Sequence, residues 1–262
     1  MLRNKILTWA AAGLALGLAA HAQEPATTTA ALPTVDEIIA KNLAARGGKD
    51  QILAKKSVRM TGKMAGGGQE FPFTLQWKRP NRIRLEFTFQ GMTGVQAYDG
   101  TTGWMVMPFM GKKDPEQMSA DDLKQVEDQA DFDGELVDYQ QKGHQIELVG
   151  KEAVEGTEAY KLKVTKKNGD VSYLYLDTES NLEFKREGKT KIRGQEVEFE
   201  TAIGDYKEVA GVLLPHSIEN KPKGAPHGQT LTIDKVEMDV DIPDTAFAMP
   251  EVKPAEEKKE GN

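Results

Sequence analysis

Phe71-Pro72-Phe73-Thr74-Leu75-Gln76-Trp77-Lys78-Arg79-Pro80-Asn81-Arg82-Ile83-Arg84-Leu85-Glu86-Phe87-Thr88-Phe89-Gln90 is two alternating runs around a turn. In the first, Phe71, Phe73, Leu75 and Trp77 alternate with polar or small partners. In the second, Ile83, Leu85, Phe87 and Phe89 alternate with Arg82, Arg84, Glu86, Thr88 and Gln90. Period two places one apolar face and one wet face on each run, the pattern of half-buried antiparallel strands. Between them Lys78-Arg79-Pro80-Asn81 reads as a turn, since proline fixes φ and lacks an N–H while asparagine tolerates tight turns. Next come Gly91, Gly94 and Val95–Tyr98, then Asp99-Gly100, a strong short hairpin signal, and then Trp104-Met105-Val106-Met107-Pro108-Phe109-Met110. The stretch predicts a continuous sheet whose inner face carries phenylalanine, tryptophan and methionine. Such a face is either an apolar concavity or an ordinary core.

Upstream, Thr34-Val35-Asp36-Glu37 matches a capping box before Ile38, Ile39 and Leu43, and Gly47-Gly48 supplies the stop. An amphipathic helix therefore opens the domain, with a short helical piece near Gln51–Ala54 and a strand over Ser57–Ala65. Downstream the pattern changes between Asp114 and Lys142, where Ser119-Ala120-Asp121-Asp122 caps a helix carrying Leu123, Val126 and Ala130. From Gln145 short strands return, separated by glycine-bearing turns such as Glu155-Gly156, Asn168-Gly169 and Ala210-Gly211. About ten to twelve strands at this spacing predict one mainly β domain, a meander closed or nearly closed into a barrel.

The ends read differently. Arg3 and Lys5 precede an apolar run from Ile6 to Ala20, and Ala20-His21-Ala22 has the small-x-small form of a cleavage site. This is the pattern of a secretory signal peptide over residues 1–22, with a run short for a membrane span. A flexible Ala-, Thr- and Pro-rich leader is expected over 23–33, the domain over 34–250, and a disordered charged tail over 251–262. The chain has no cysteine, so neither a disulfide nor a lipid-attachment cysteine is expected. Its formal net charge is −7, and losing Arg3 and Lys5 makes it more negative. An acidic exported protein is a poor partner for nucleic acid or anionic membranes.

Catalytic motifs are missing from the sequence: it has no HExxH, no Gly-x-Ser-x-Gly, no phosphate loop and no dinucleotide fingerprint. No catalytic, metal or cofactor residues are expected, and the protein reads as a binding protein rather than an enzyme. His144 and His227 read as surface loop residues and His216 as a satisfied core histidine. The notable chemistry is apolar. Met92, Met105, Met107, Met110 and Met118 gather around the sheet–helix junction, where unbranched side chains suit either a promiscuous surface or gap-filling in a core.

Trp77-Lys78-Arg79-Pro80-Asn81, then Tyr98-Asp99-Gly100, Trp104 and Pro108-Phe109, resemble the periplasmic outer-membrane lipoprotein carriers of the LolA type. Asp244-Thr245-Ala246-Phe247-Ala248-Met249-Pro250 is similar to that family's closing segment. The resemblance covers about Gln76 to Phe109 and the C-terminal motif, while Asp114–Lys142 departs from the family pattern. It implies a half-open antiparallel β-barrel with an N-terminal helix and a helical lid over an apolar cavity. The candidate lining is Phe73, Leu75, Trp77, Leu85, Phe87, Phe89, Trp104 and Met107. Arg79 falls on the family's functional arginine, which implies a latch between barrel and lid, although an arginine flanking a turn also fits a surface role. The implied function is a soluble, monomeric periplasmic carrier of lipoprotein or lipid acyl chains, in transient contact with inner- and outer-membrane transport proteins. A periplasmic envelope sensor binding the same ligand class is the alternative.

Overall fold

A computed structural model describes residues 31–251 except 193 and 194. The expected signal peptide, most of the leader and nearly all of the tail lie outside the described residues. Helix α1 (Val35–Ala45) starts as its capping box dictates: Thr34 Oγ1 accepts from the Glu37 amide at 3.3 Å, and Glu37 Oε2 accepts from the Thr34 amide at 2.7 Å. A short α2 (Lys49–Ala54) leads into the strands β1 (Ser57–Gly66), β2 (Gln69–Lys78), β3 (Arg82–Phe89), β4 (Met92–Tyr98), β5 (Gly103–Met107) and β6 (Lys112–Gln117). Helix α3 (Ala120–Gln129) follows. The second series is β7 (Gln145–Val154), β8 (Thr157–Thr165), β9 (Val171–Asp177), β10 (Glu183–Ile192), β11 (Gln195–Val209), β12 (Val212–Pro222) and β13 (Gln229–Met238).

All thirteen strands form one antiparallel sheet in the order β6-β5-β4-β3-β2-β1-β13-β12-β11-β10-β9-β8-β7. Each strand pairs with its neighbour in sequence, and only the β1–β13 ladder joins the two series. The edges are therefore β6 and β7, which are consecutive strands of the chain, and α3 lies in the connection between them. The architecture is a mainly β, half-open antiparallel barrel. It has one more strand than the range the alternation predicts. The unforeseen strand is β6, Lys-Lys-Asp-Pro-Glu-Gln, which runs into the Asp114–Lys142 segment where the strand pattern was expected to stop. It pairs through its backbone with β5 alone and leaves its side chains almost wholly exposed. An edge strand needs no apolar face, and lysine and proline suit an edge that should not recruit another chain.

Ile38, Ile39 and Leu43 of α1 pack on the inner face against Val58, Met60, Leu162, Leu174, Val212 and Ile233, joined by Leu136 and Val137 from beyond α3. The centre of the barrel is thus filled by protein. His216 lies in this core, as its sequence context suggests, with Nδ1 at 3.0 Å from the Leu214 carbonyl.

Candidate functional site

The β1–β5 half of the inner face carries the site. The register aligns Met60 with Leu75, Leu75 with Leu85, and Leu85 with Gln96, while Gly62 pairs with Phe73 and Phe73 with Phe87. Alternation puts Phe71, Phe73, Leu75, Trp77, Ile83, Leu85, Phe87 and Phe89 on this one face. Phe73 is buried in the central core, but Phe71, Leu75, Trp77, Leu85, Phe87 and Phe89 are only half-buried. Met105 and Met107 share the face, Met105 half-buried and Met107 buried. The result is an apolar strip along β2 and β3 whose members are half-buried where they pack against the edge of the central core.

The strip is bordered at each end. At one end Phe71, Phe87, Phe109 and Phe89 form a closed circuit of rings, with successive centroids 5.9, 5.6, 5.6 and 5.7 Å apart. Gly94 lies beneath them, and a Cβ there would stand 2.8 Å from Phe87 and 2.9 Å from Phe109. Its missing side chain is what lets the rings rest on the sheet. At the other end α3 crosses the face. Its apolar side meets Gly103, where a Cβ would lie 2.9 Å from both Leu123 and Met118. Val126 and Ala130 bury against Ile83 and Tyr98. Trp77 Nε1 donates to the Gln129 carbonyl at 2.8 Å, and its ring lies 6.2 Å from Phe132. On its far side α3 is tied to the β8–β9 turn by polar pairs: Lys124–Asp170 at 2.9 Å and Lys166–Asp128 at 3.3 Å.

Arg79 sits where these pieces meet. Its guanidinium donates to both carboxylate oxygens of Asp133, at 2.8 and 2.5 Å, and to the Ile52 and Lys55 carbonyls at the end of α2, at 3.1 and 2.7 Å. It also lies over the Phe132 ring at 5.8 Å. The Asp133 hydrogen bonds hold the guanidinium above its ordinary pKa. Arg46, at the end of α1, donates to the Asp133 backbone carbonyl at 3.5 Å. One arginine thus joins the β2–β3 turn, α2 and the segment after α3. The resemblance singled out Arg79, but nothing in the sequence pointed to Asp133, which lies in an aperiodic stretch with nothing to mark its partner. A small cleft beside this junction, between Lys56, Trp77, Arg79, Pro80, Ala130 and Phe132, has a volume of about 10 Å³. That is about the room a single water molecule needs.

One of the expected lining residues stands elsewhere. Trp104 pairs with Ala97, on the opposite face from Gln96 and Met105. It is 1% exposed, donates from Nε1 to the Phe247 carbonyl at 2.8 Å, and lies under the Arg84 guanidinium at 5.5 Å. It therefore fixes the C-terminal segment to the outer face and cannot line the strip. The apolar run through Trp104 to Met110 hid this, because both faces of β5 are covered and so both are apolar. Trp77 does face inward, but its ring and N–H are engaged by α3. The methionines also divide: Met118 packs under α3, Met107 is buried, and Met110 is 65% exposed beyond the ring circuit.

Among the described residues no group of three or more His, Asp or Glu side chains could hold a metal ion, and no helix is long and apolar enough to cross a membrane.

No family model and no curated protein matches this sequence. Solved structures do match. A DUF1329 family protein from Desulfovibrio piger superposes with a TM-score of 0.57 at 12% identity, covering 83% of this chain and 98% of that one. A LolA superfamily protein from Nitrosomonas europaea gives 0.54 at 15% identity, covering 83% and 98%. A putative outer membrane lipoprotein-sorting protein domain from Vibrio parahaemolyticus gives 0.53 at 12% identity, covering 80% and 94%. The fold is LolA-like.

Proposed function

We propose that the protein is a soluble periplasmic carrier that holds acyl chains of lipoproteins or lipids along the inner face of its half-open barrel for transfer to the outer membrane. The observation that carries this reading is the apolar strip of Leu75, Leu85 and Phe87 on the inner face, only half-buried at the edge of the core. Burying an acyl chain contributes about 0.8 kcal/mol per methylene, so a ~16-carbon chain gains roughly 10 kcal/mol before ordering costs. A face of this kind needs no catalytic group, and the reading assigns none. The likeness to a structure named as a lipoprotein-sorting domain supports the same ligand class. Loading requires α3 to move, with Arg79 as its latch to the barrel. The basic, apolar and small-residue pattern of residues 1–22 supports export, and delivery implies transient contacts with inner- and outer-membrane transport proteins.

The test is purification of the mature protein from its native envelope, solvent extraction and mass spectrometry. Acyl lipids or lipoproteins in the extract, together with rebinding of a fluorescent fatty acid by the stripped protein, are the expected result. An empty extract and no rebinding would overturn the reading.

A further inference from the structure

We infer that Arg186 and Lys166 form an anion subsite on the inner wall of the barrel, occupied in this structure by the carboxylate of Glu135, and that it receives the acidic headgroup of a bound lipid. This rests on the carrier reading above and names the ligand class within it: a lipid with an anionic head rather than a neutral acyl chain.

Arg186 pairs with Leu174 of β9, so it stands on the same face as the central core. Glu183 holds the Nε and Nη2 edge of its guanidinium, at 2.8 and 3.1 Å, and Nη1 is left to donate to Glu135 Oε1 at 2.9 Å. Lys166, just past β8, places Nζ 2.9 Å from the same Glu135 oxygen and 3.3 Å from Asp128. Asp128 belongs to α3 and Glu135 to the segment after it, the part that the carrier reading requires to move. When it moves, Lys166 loses both of its carboxylates and Arg186 keeps only Glu183. The wall is then left with an uncompensated positive charge.

Glu135 fills this place incompletely. Its Oε2 is buried without a hydrogen-bond partner among the described residues, and so is the Ser172 hydroxyl. Ser172 pairs with Val164 and with Gly188, which sets it on the inner face in the row between Lys166 and Arg186. Buried polar atoms without partners are costly, and bonds to an ionised head are of the strong class. A head with oxygens for both cations and for Ser172 is held more fully than Glu135 is. The segment that carries Glu135, residues 130–144, contains no helix or strand. Irregular chain of such length within a compact domain is usually functional. It also sets Leu136 and Val137, 5% and 0% exposed, in the core. The segment thus offers the barrel what an anionic lipid would offer: apolar groups for the core and an acid for the two cations.

The experiment titrates stripped mature protein, by calorimetry, with dodecyl phosphate, dodecanoate and dodecanol below their micellar concentrations. The three share a chain and differ in the head. Wild type should bind the acids about tenfold more tightly than the alcohol, the size of one charge-assisted contact. Lys166→Gln and Arg186→Gln should each abolish that preference. The Arg186 variant strands Glu183, so Lys166→Gln carries the test if it does not fold. Because the alcohol has the same chain, the ratio removes any effect of a variant on the opening of α3. Glu135→Gln, which keeps the side chain's shape and drops the competing charge, should tighten dodecyl phosphate about tenfold. Either acid ahead of the alcohol supports the subsite, and which of them leads tells a phosphate from a carboxylate source. Equal binding of all three by the wild type, a preference that survives Lys166→Gln, or no gain in Glu135→Gln overturns the subsite and leaves the carrier reading standing. No binding of any of the three by the wild type overturns both.

Discussion

Two tryptophans hold two crossing segments, one on each face of the sheet, by the same bond of the same length. On the outer face Trp104 Nε1 donates to the Phe247 carbonyl at 2.8 Å, and on the inner face Trp77 Nε1 donates to the Gln129 carbonyl at 2.8 Å. Their surroundings differ. The outer segment buries Ile242 at 1% and Phe247 at 0% exposure, and takes further bonds from Lys78 to the Ile242 carbonyl and from Arg84 to the Ala246 carbonyl. Helix α3 buries only Val126 along its length, leaves Trp77 half-exposed, and is held on its far side by the exposed Lys124–Asp170 pair and the part-buried Lys166–Asp128 pair. Local opening has a low free energy where few apolar contacts are lost and the bonds already face solvent. The outer segment belongs to the globally cooperative core, and α3 is the part able to open on its own.

The largest expected effect breaks the outer side. Trp104→Ala should cost about 3–5 kcal/mol, as removal of a buried tryptophan does, and should unfold outer segment and sheet in one transition. Urea unfolding followed by two probes measures this. A loss below about 1 kcal/mol, or early release of the C-terminal segment alone, would show that the outer strap is no more integral than α3.

Next in size is Arg79. Replacing it by leucine leaves Asp133, 7% exposed, without its bidentate partner. Removing one member of a buried pair costs several kcal/mol, and the partial exposure of Arg79 brings the expectation down to about 2 kcal/mol. The buried carboxylate is the reason for a cost above that of removing a solvated turn arginine. Adding Asp133→Asn should recover most of the stability while leaving α3 more open to amide exchange than in the wild type. Lysine at position 79 should recover only part, because a point charge cannot reach two carboxylate oxygens and two carbonyls together. If the double variant kept wild-type exchange in α3, Arg79 would be a structural tie with no bearing on opening.

What sequence could reveal follows the same division. The inner faces of β2 and β3 were legible because one side of each strand meets water, and alternation reports that contrast. The α1 capping box and the α3 N-cap were legible because caps act within three or four residues. The outward placement of Trp104 was not, since β5 is covered on both faces by segments far apart in the chain. Nor was Asp133, whose role depends on Arg79 and Arg46 arriving from two other elements. Strand β6 carries no apolar pattern, because an edge strand is held by backbone pairing.

A smaller effect tests the segment that follows α3. Glu135 lies between Arg186 and Lys166, each at 2.9 Å. Burial by itself raises its carboxyl, but the two cations outweigh burial and hold it below the usual carboxylate range. A carboxyl whose folded pKa is depressed contributes stability that is fully present above its unfolded value, about 4.3, and is lost as pH falls through its folded value. Wild-type protein should therefore lose stability on acidification below about pH 4.3, with amide protection around Leu136 and Val137 falling first. Glu135→Gln should have a shallower acid slope over that window, whatever its stability at neutral pH. Equal slopes would remove Glu135 from the account of how this segment is held.

The finest test exchanges the two tryptophans for phenylalanine one at a time, keeping most of each ring and deleting only the N–H. At Trp104 the Phe247 carbonyl would lose its indole partner in a site water does not reach, and an unsatisfied buried polar group costs about 1–3 kcal/mol. At Trp77 the Gln129 carbonyl stands at the C-terminal end of α3, where water can replace the indole, so the net loss should be that of an ordinary hydrogen bond, about 1 kcal/mol or less. The two variants should also differ in kind. Trp104→Phe should lower global stability and leave the gap between global and α3 opening unchanged, while Trp77→Phe should raise amide exchange in α3 with little change in the unfolding midpoint. Since the bonds have the same length and the same donor, any difference between the variants measures what burial adds to each. Equal global losses would mean that α3 is as firmly built in as the outer segment, and the carrier reading would then need a different way onto the inner face.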